Sequence, residues 1–135
     1  MNPVVHFEFP YKDRERICRF YQSAFGWQLE KLGPEMGNYV VATTAKADAK
    51  PGAPAGAING GFYEHHPDWP AQYPSVVIAV QDVGVAMSAV KTAGGQVLGE
   101  PMDIPGVGRY VSFYDTEGNR VSMLQPSPGG MSASG

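Results

Sequence analysis

The sequence predicts an α+β fold in which one βαβββ module occurs twice in succession. Three observations carry that prediction. Short β-branched and aromatic runs alternate with two amphipathic stretches, and frequent Gly (17) and Pro (12) residues keep every element short. A shift of 69 residues aligns Asp13 with Asp82, Ala24 with Ala93, Gly26 with Gly95, Leu29 with Leu98 and Gly37 with Gly106. These matches fall on caps, helix stops and apolar phase together, which is the signature of a duplicated unit.

Val4 to Phe9 reads as the first strand, with His6 and Glu8 on one face and Val5, Phe7 and Phe9 on the other. Asp13 is an N-cap candidate, and Ile17, Phe20, Tyr21, Ala24 and Phe25 form the stripe of a helix over about 14–25 that Gly26 ends. Trp27–Leu32, Tyr39–Thr44 and Ala57–Tyr63 read as three strands, the last two separated by the aperiodic loop 45–54. The pair Gly60-Gly61 inside a strand marks a bulge or a close approach, and either leaves a roomy floor.

The connector 64–74 is polar and broken by proline, so His65-His66 within it reads as solvated loop. The pattern then restarts. Ser75–Val80 is a strand, Asp82 an N-cap, and Ala86, Ala89, Val90 and Ala93 form one helical face before Gly94-Gly95. Gln96–Leu98, Tyr110–Tyr114 and Arg120–Gln125 follow as strands, and Asp115 to Asn119 turns between the last two. One domain of residues 1–126 results, with modules at about 3–63 and 74–126 and a flexible Ser/Gly/Pro tail over 127–135.

With 135 residues the chain builds one core, and a net charge of -3 without long like-charge runs argues against nucleic acid and anionic membranes as partners. No apolar run approaches the roughly 20 residues of a membrane span, and the first residues, without a basic region followed by a long apolar segment, lead us to expect no secretory signal. The single cysteine, Cys18, excludes an internal disulfide and a thiolate zinc cluster, so a cytoplasmic protein is expected. Cys18 has no neighbour that clearly lowers its pKa, and Gly106-Val107-Gly108 lacks the lysine and following helix of a phosphate loop.

The segments HFEFPYKDRERICRFYQSAFGW, GAINGGFY, VVIAVQDVGVAMSAVKTAGGQVL, IPGVGR and DTEGNRVSMLQ resemble the vicinal oxygen chelate superfamily, the glyoxalase, bleomycin-resistance and extradiol-dioxygenase group. The resemblance spans about residues 3–126. It implies a curved, mostly antiparallel sheet forming an open cup with the helices outside, and a homodimer.

In the metal enzymes of that group the first and last strands of each module supply one ligand apiece. By resemblance those positions fall on His6 and Asn59 in module one and on Ser75 and Ser122 in module two, the Asn59 match needing an offset of 63 residues. Only His6 is of a usual ligand type; neutral amides and hydroxyls contribute too little charge to offset dehydration of a divalent cation. No cofactor is therefore expected, with a His-x-Glu divalent-metal site at His6 and Glu8 as the fallback.

The leading expectation is a metal-independent protein, similar to the bleomycin-resistance branch, that binds a small organic ligand through His6, Asn59, Ser75, Tyr110 and Ser122. The alternative is a lyase, isomerase or dioxygenase-type enzyme in which His6 and Glu8 carry the proton transfer.

Overall fold

The computed structural model describes residues 1–45 and 58–128, so most of loop 45–54 and the end of the tail lie outside the described residues. Within them the elements run β1 (Val4–Tyr11), α1 (Arg14–Phe25), β2 (Gln28–Lys31), β3 (Val40–Thr43), β4 (Gly60–Glu64), β5 (Ser75–Ala79), α2 (Val83–Thr92), β6 (Gln96–Ile104), β7 (Gly108–Tyr114) and β8 (Arg120–Pro126), with a 3₁₀ turn at Pro34–Met36. The α+β class and the twofold βαβββ order stand as the sequence predicts.

The chain forms two compact units, residues 6–74 and residues 75 onward together with 1–5. The first five residues join the second unit, where the Ala79 N–H donates to the Pro3 carbonyl at 2.9 Å. The first unit orders its strands β2-β3-β4-β1 and the second β6-β7-β8-β5, the same arrangement twice. In each, the outer three strands pair antiparallel and the fourth runs parallel to the first.

Both helices start where the capping chemistry says they should. The Asp13 carboxylate accepts from the Arg16 N–H at 3.0 Å, the Asp82 carboxylate from the Val85 N–H at 3.0 Å, and Gly26 closes α1 in the left-handed region at φ 71°.

The buried faces are turned from the expected ones. On α1 the side chains that pack are Ile17, Cys18 and Tyr21, while Phe20 and Phe25 are exposed and meet each other edge-on. On α2 the packing face is Val83, Ala86, Met87 and Val90, whereas Ala89 and Ala93 are exposed. The α2 set keeps the i, i+3, i+4, i+7 spacing, and on α1 Ile17 and Cys18 lie four and three residues before Tyr21; apolar residues on neighbouring rows made the phase ambiguous.

The first core is aromatic, built from Phe7, Tyr11, Val40 and Phe62 with Tyr21 and Trp27 against them. The second is aliphatic, built from Val80, Val83, Val111 and Met123. Several strand limits differ from expectation: β1 runs on through Pro10 to Tyr11, and β7 begins at Gly108 rather than Tyr110. Strand β6 continues past Leu98 to Ile104 through a register shift between Leu98 and Met102, where Gly99 takes φ 88° and Pro101 is tolerated because β6 is the last strand in its unit's order. Asn59 precedes β4 rather than lying within it.

Candidate functional site

Each module covers one face of its sheet with its helix and leaves the other without one. Strand alternation assigns the faces: Phe7, Tyr11, Val40, Ala42 and Phe62 pack with α1, so His6, Glu8, Val41 and Gly61 belong to the opposite face.

On that face the His6 Nε2 lies 2.8 Å from the Tyr39 hydroxyl, a contact the sequence reading did not foresee. Burial holds the His6 imidazole well below its ordinary value, at a pKa of about 4, so the ring is neutral near pH 7. Glu8, two residues on, is buried as well.

Gly61 explains why Tyr39 can reach His6. A Cβ on Gly61 would collide with the Tyr39 ring and hydroxyl, and one on Gly60 would meet the Phe7 ring and backbone at 2.5 Å. The two glycines therefore admit the close approach of side chains from either face, without a bulge. The floor above Gly61 is filled by tyrosine and is not the open space expected.

The strand register also corrects the correspondence between modules. Glu8 pairs with Gly61 and Val77 with Ser122, and Glu8 and Val77 are related by the same 69-residue shift as His6 and Ser75. The position equivalent to Ser122 is thus Gly61, and the offset in the last strand is 61 rather than 63.

Asn59 has another task. Its Oδ1 accepts from the N–H groups of Thr44 and Ala45 at 2.8 and 3.2 Å, tying the end of β3 to the start of β4.

In module two the helix-free face carries a cluster of hydroxyls. Ser122, fully buried, has its Oγ 2.7 Å from the Tyr110 hydroxyl and 2.8 Å from the Ser112 Oγ, which also accepts from Arg120 at 3.2 Å. Tyr110 and Ser122, both expected at the site, are brought together; Ser112 and Arg120 were missed, although they share the alternation of Tyr110 and Ser122 along β7 and β8. The Ser75 Oγ is buried with no hydrogen-bond partner among the described residues.

The donor set fits a divalent cation poorly. The positions that the metal enzymes use hold an imidazole engaged by a phenol, a glycine, and two serine hydroxyls, which together supply no anionic ligand. Among the described residues no three of His, Cys, Asp or Glu converge. Cys18 is buried on the packed face of α1, where desolvation pushes its thiol pKa up, away from the reactive thiolate.

The repeated module and its helix-free sheet faces define a class of protein, and the chain belongs to the glyoxalase/bleomycin resistance protein/dioxygenase superfamily, whose family model matches residues 4–123. Over 107 residues it is 32% identical to the anthracycline biosynthesis protein DnrV of Streptomyces peucetius, covering 73% of this chain and 38% of that protein. A 53-residue stretch is 43% identical to CFP32 of Mycobacterium tuberculosis, covering 39% of this chain and 20% of that protein. The chain thus spans well under half the length of these curated relatives. In fold it is similar to methylmalonyl-CoA epimerase from Mycobacterium tuberculosis, with a TM-score of 0.65 at 12% identity over 93% of this chain and 88% of that one. No helix among the described residues is long and apolar enough to cross a membrane.

Proposed function

We propose that this chain binds a small organic ligand on a helix-free sheet face without a metal, in the manner of a bleomycin-resistance-like protein. The observation that carries this reading is the replacement in module one. At the last-strand position Gly61 brings no donor atom, and the space above it is taken by Tyr39, whose hydroxyl engages His6. An imidazole committed to a phenol, and neutral near pH 7, is suited to orienting an uncharged or weakly polar group by hydrogen bonding. In module two the Ser75 hydroxyl supports the same reading: a buried hydroxyl without a partner carries a desolvation cost of about 1–3 kcal/mol, which a ligand's polar atom would relieve.

The second reading is a lyase, isomerase or dioxygenase-type enzyme in which His6 and Glu8 move a proton. The burial of both groups favours it, since catalytic carboxylates and imidazoles are often desolvated. Against it, a base of pKa about 4 has little driving force for taking a proton at neutral pH. The resemblance adds a homodimer in the cytoplasm, and sedimentation equilibrium checks the first of these.

Elemental analysis of protein purified without chelator or tag-bound metal, followed by thermal titration with nickel, zinc, manganese and iron, tests the proposal. The expected outcome is less than a tenth of an equivalent of metal and a melting temperature indifferent to all four ions. Stoichiometric metal with saturable stabilisation, abolished in His6→Ala, overturns it in favour of the enzyme.

A further inference from the structure

The connector between β4 and β5 is more organised than its composition suggests. The His65 N–H donates to the Tyr11 carbonyl at 2.8 Å, fastening the start of the connector to the end of β1. The Gln72 amide closes the loop on itself: its oxygen accepts from the His66 N–H at 2.7 Å, and its nitrogen donates to the carbonyls of His66 and Trp69. Beside it, Ala71 takes φ 49°, a left-handed conformation that a non-glycine residue adopts only at a cost. The amide bonds of Gln72 offset that cost and hold one loop shape.

Between this loop and the end of β1 lies a cavity of about 350 Å³, lined by Pro10, Lys12, His65, Trp69, Gln72 and Tyr73 among others. That volume is in the range of small-molecule sites. Two large aromatic side chains at its margin remain in water, Trp69 at 54% exposure and Tyr73 at 71%. The His66 ring stacks on the Trp69 indole with centroids 4.0 Å apart, so the exposed indole is held from behind. Lys12 takes part in no ion pair among the described residues, and the nearby carboxylates of Glu64 and Asp68 do not line the cavity. Two exposed aromatic side chains and a lysine outside any ion pair among the described residues thus border the same space.

We propose that this cleft is a second binding site, which takes a planar aromatic carboxylate with its ring against Trp69 and Tyr73 and its carboxylate on the Lys12 ammonium, His65 serving as a further donor. Stacking supplies affinity and the ammonium supplies selectivity for the acid. The site is separate from the one proposed above: Pro10 lies four residues beyond His6 on the same strand, about 13 Å at the rise of an extended chain.

The test uses the full chain, labelled with ¹⁵N, and naphthalene-2-carboxylate as the probe. Only Trp27 and Trp69 contribute indole N–H resonances, and Trp27 lies in the first core. Saturable movement of the Trp69 resonance with the Trp27 resonance still is expected, weakened at least tenfold in Lys12→Gln and at least tenfold for neutral naphthalene-2-methanol. Lys12 is on the surface, so its variant folds even where Trp69→Ala does not. A Trp69 resonance unmoved at millimolar probe overturns the proposal, including the case in which the probe binds elsewhere on the chain. So does equal affinity for the alcohol and the acid, or an unchanged Lys12→Gln. Because the readout is local to Trp69, its failure leaves the reading of the His6 face standing, and the reverse holds too.

Discussion

At the scale of single residues, the decisive arrangement is His6, Tyr39 and Gly61. His6 was legible from the sequence because it alternates with Phe7 on a strand. Tyr39 was not, because its reach to His6 depends on register and on a glycine 22 residues away in sequence. Replacing Gly61 with Ala is expected to destabilise the protein by about 1–3 kcal/mol, the usual cost of overpacking, and Gly61→Ala combined with Tyr39→Ala to recover part of that loss. Urea unfolding of the two variants checks this. His6 also sets a pH dependence. Its imidazole titrates near 6.5 when unfolded and at about 4 when folded, so between those values the unfolded chain binds the extra proton. The neutral-ring contribution is therefore complete above pH 6.5 and is lost as pH falls toward 4, by about 2 kcal/mol after allowance for partial exposure. Denaturation at stepped pH should show wild type losing stability relative to His6→Gln across that window; parallel curves would place the titration elsewhere.

At the scale of elements, the parts written in local chemistry were the readable ones. Asp13 and Asp82 cap because a carboxylate reaches the N–H three residues on, and this needs no tertiary context. Asp82→Ala should cost about 1 kcal/mol and Asp13→Ala a similar amount, measured as shifts of the urea midpoint at constant slope. The helix faces were readable in period and ambiguous in phase: Phe20 and Phe25 lie on rows adjacent to Ile17 and Tyr21, and only the packed sheet decides which row is buried. Strand β6 was expected only as Gln96–Leu98, whereas a strand with one unpaired side runs on past Gly99 and Pro101 through a bulge. The connector was read as solvent-borne because nothing in its composition shows that Gln72 would bond back to His66 and Trp69.

At the scale of the whole molecule, the duplication was visible from the 69-residue shift, and both units reproduce it in strand order. The shift of 69 holds through the first strand, the helix and the second strand, as far as Gly37. It falls to 61 at the last strand, and that shortening moved the inferred counterpart of Ser122 onto Asn59 instead of Gly61. The candidate site was thus legible in which strands bear it and illegible in which residue of module one stands at its end. The two cores have also diverged, one built of rings and the other of aliphatic chains. That divergence makes the halves optically unequal. Both indoles belong to residues 6–74, so emission excited at the red edge of tryptophan absorption is silent about the second unit. In a Trp69→Phe background the remaining glow, from Trp27 among Phe7, Tyr21 and Phe62, becomes a dedicated gauge of how the first repeat melts.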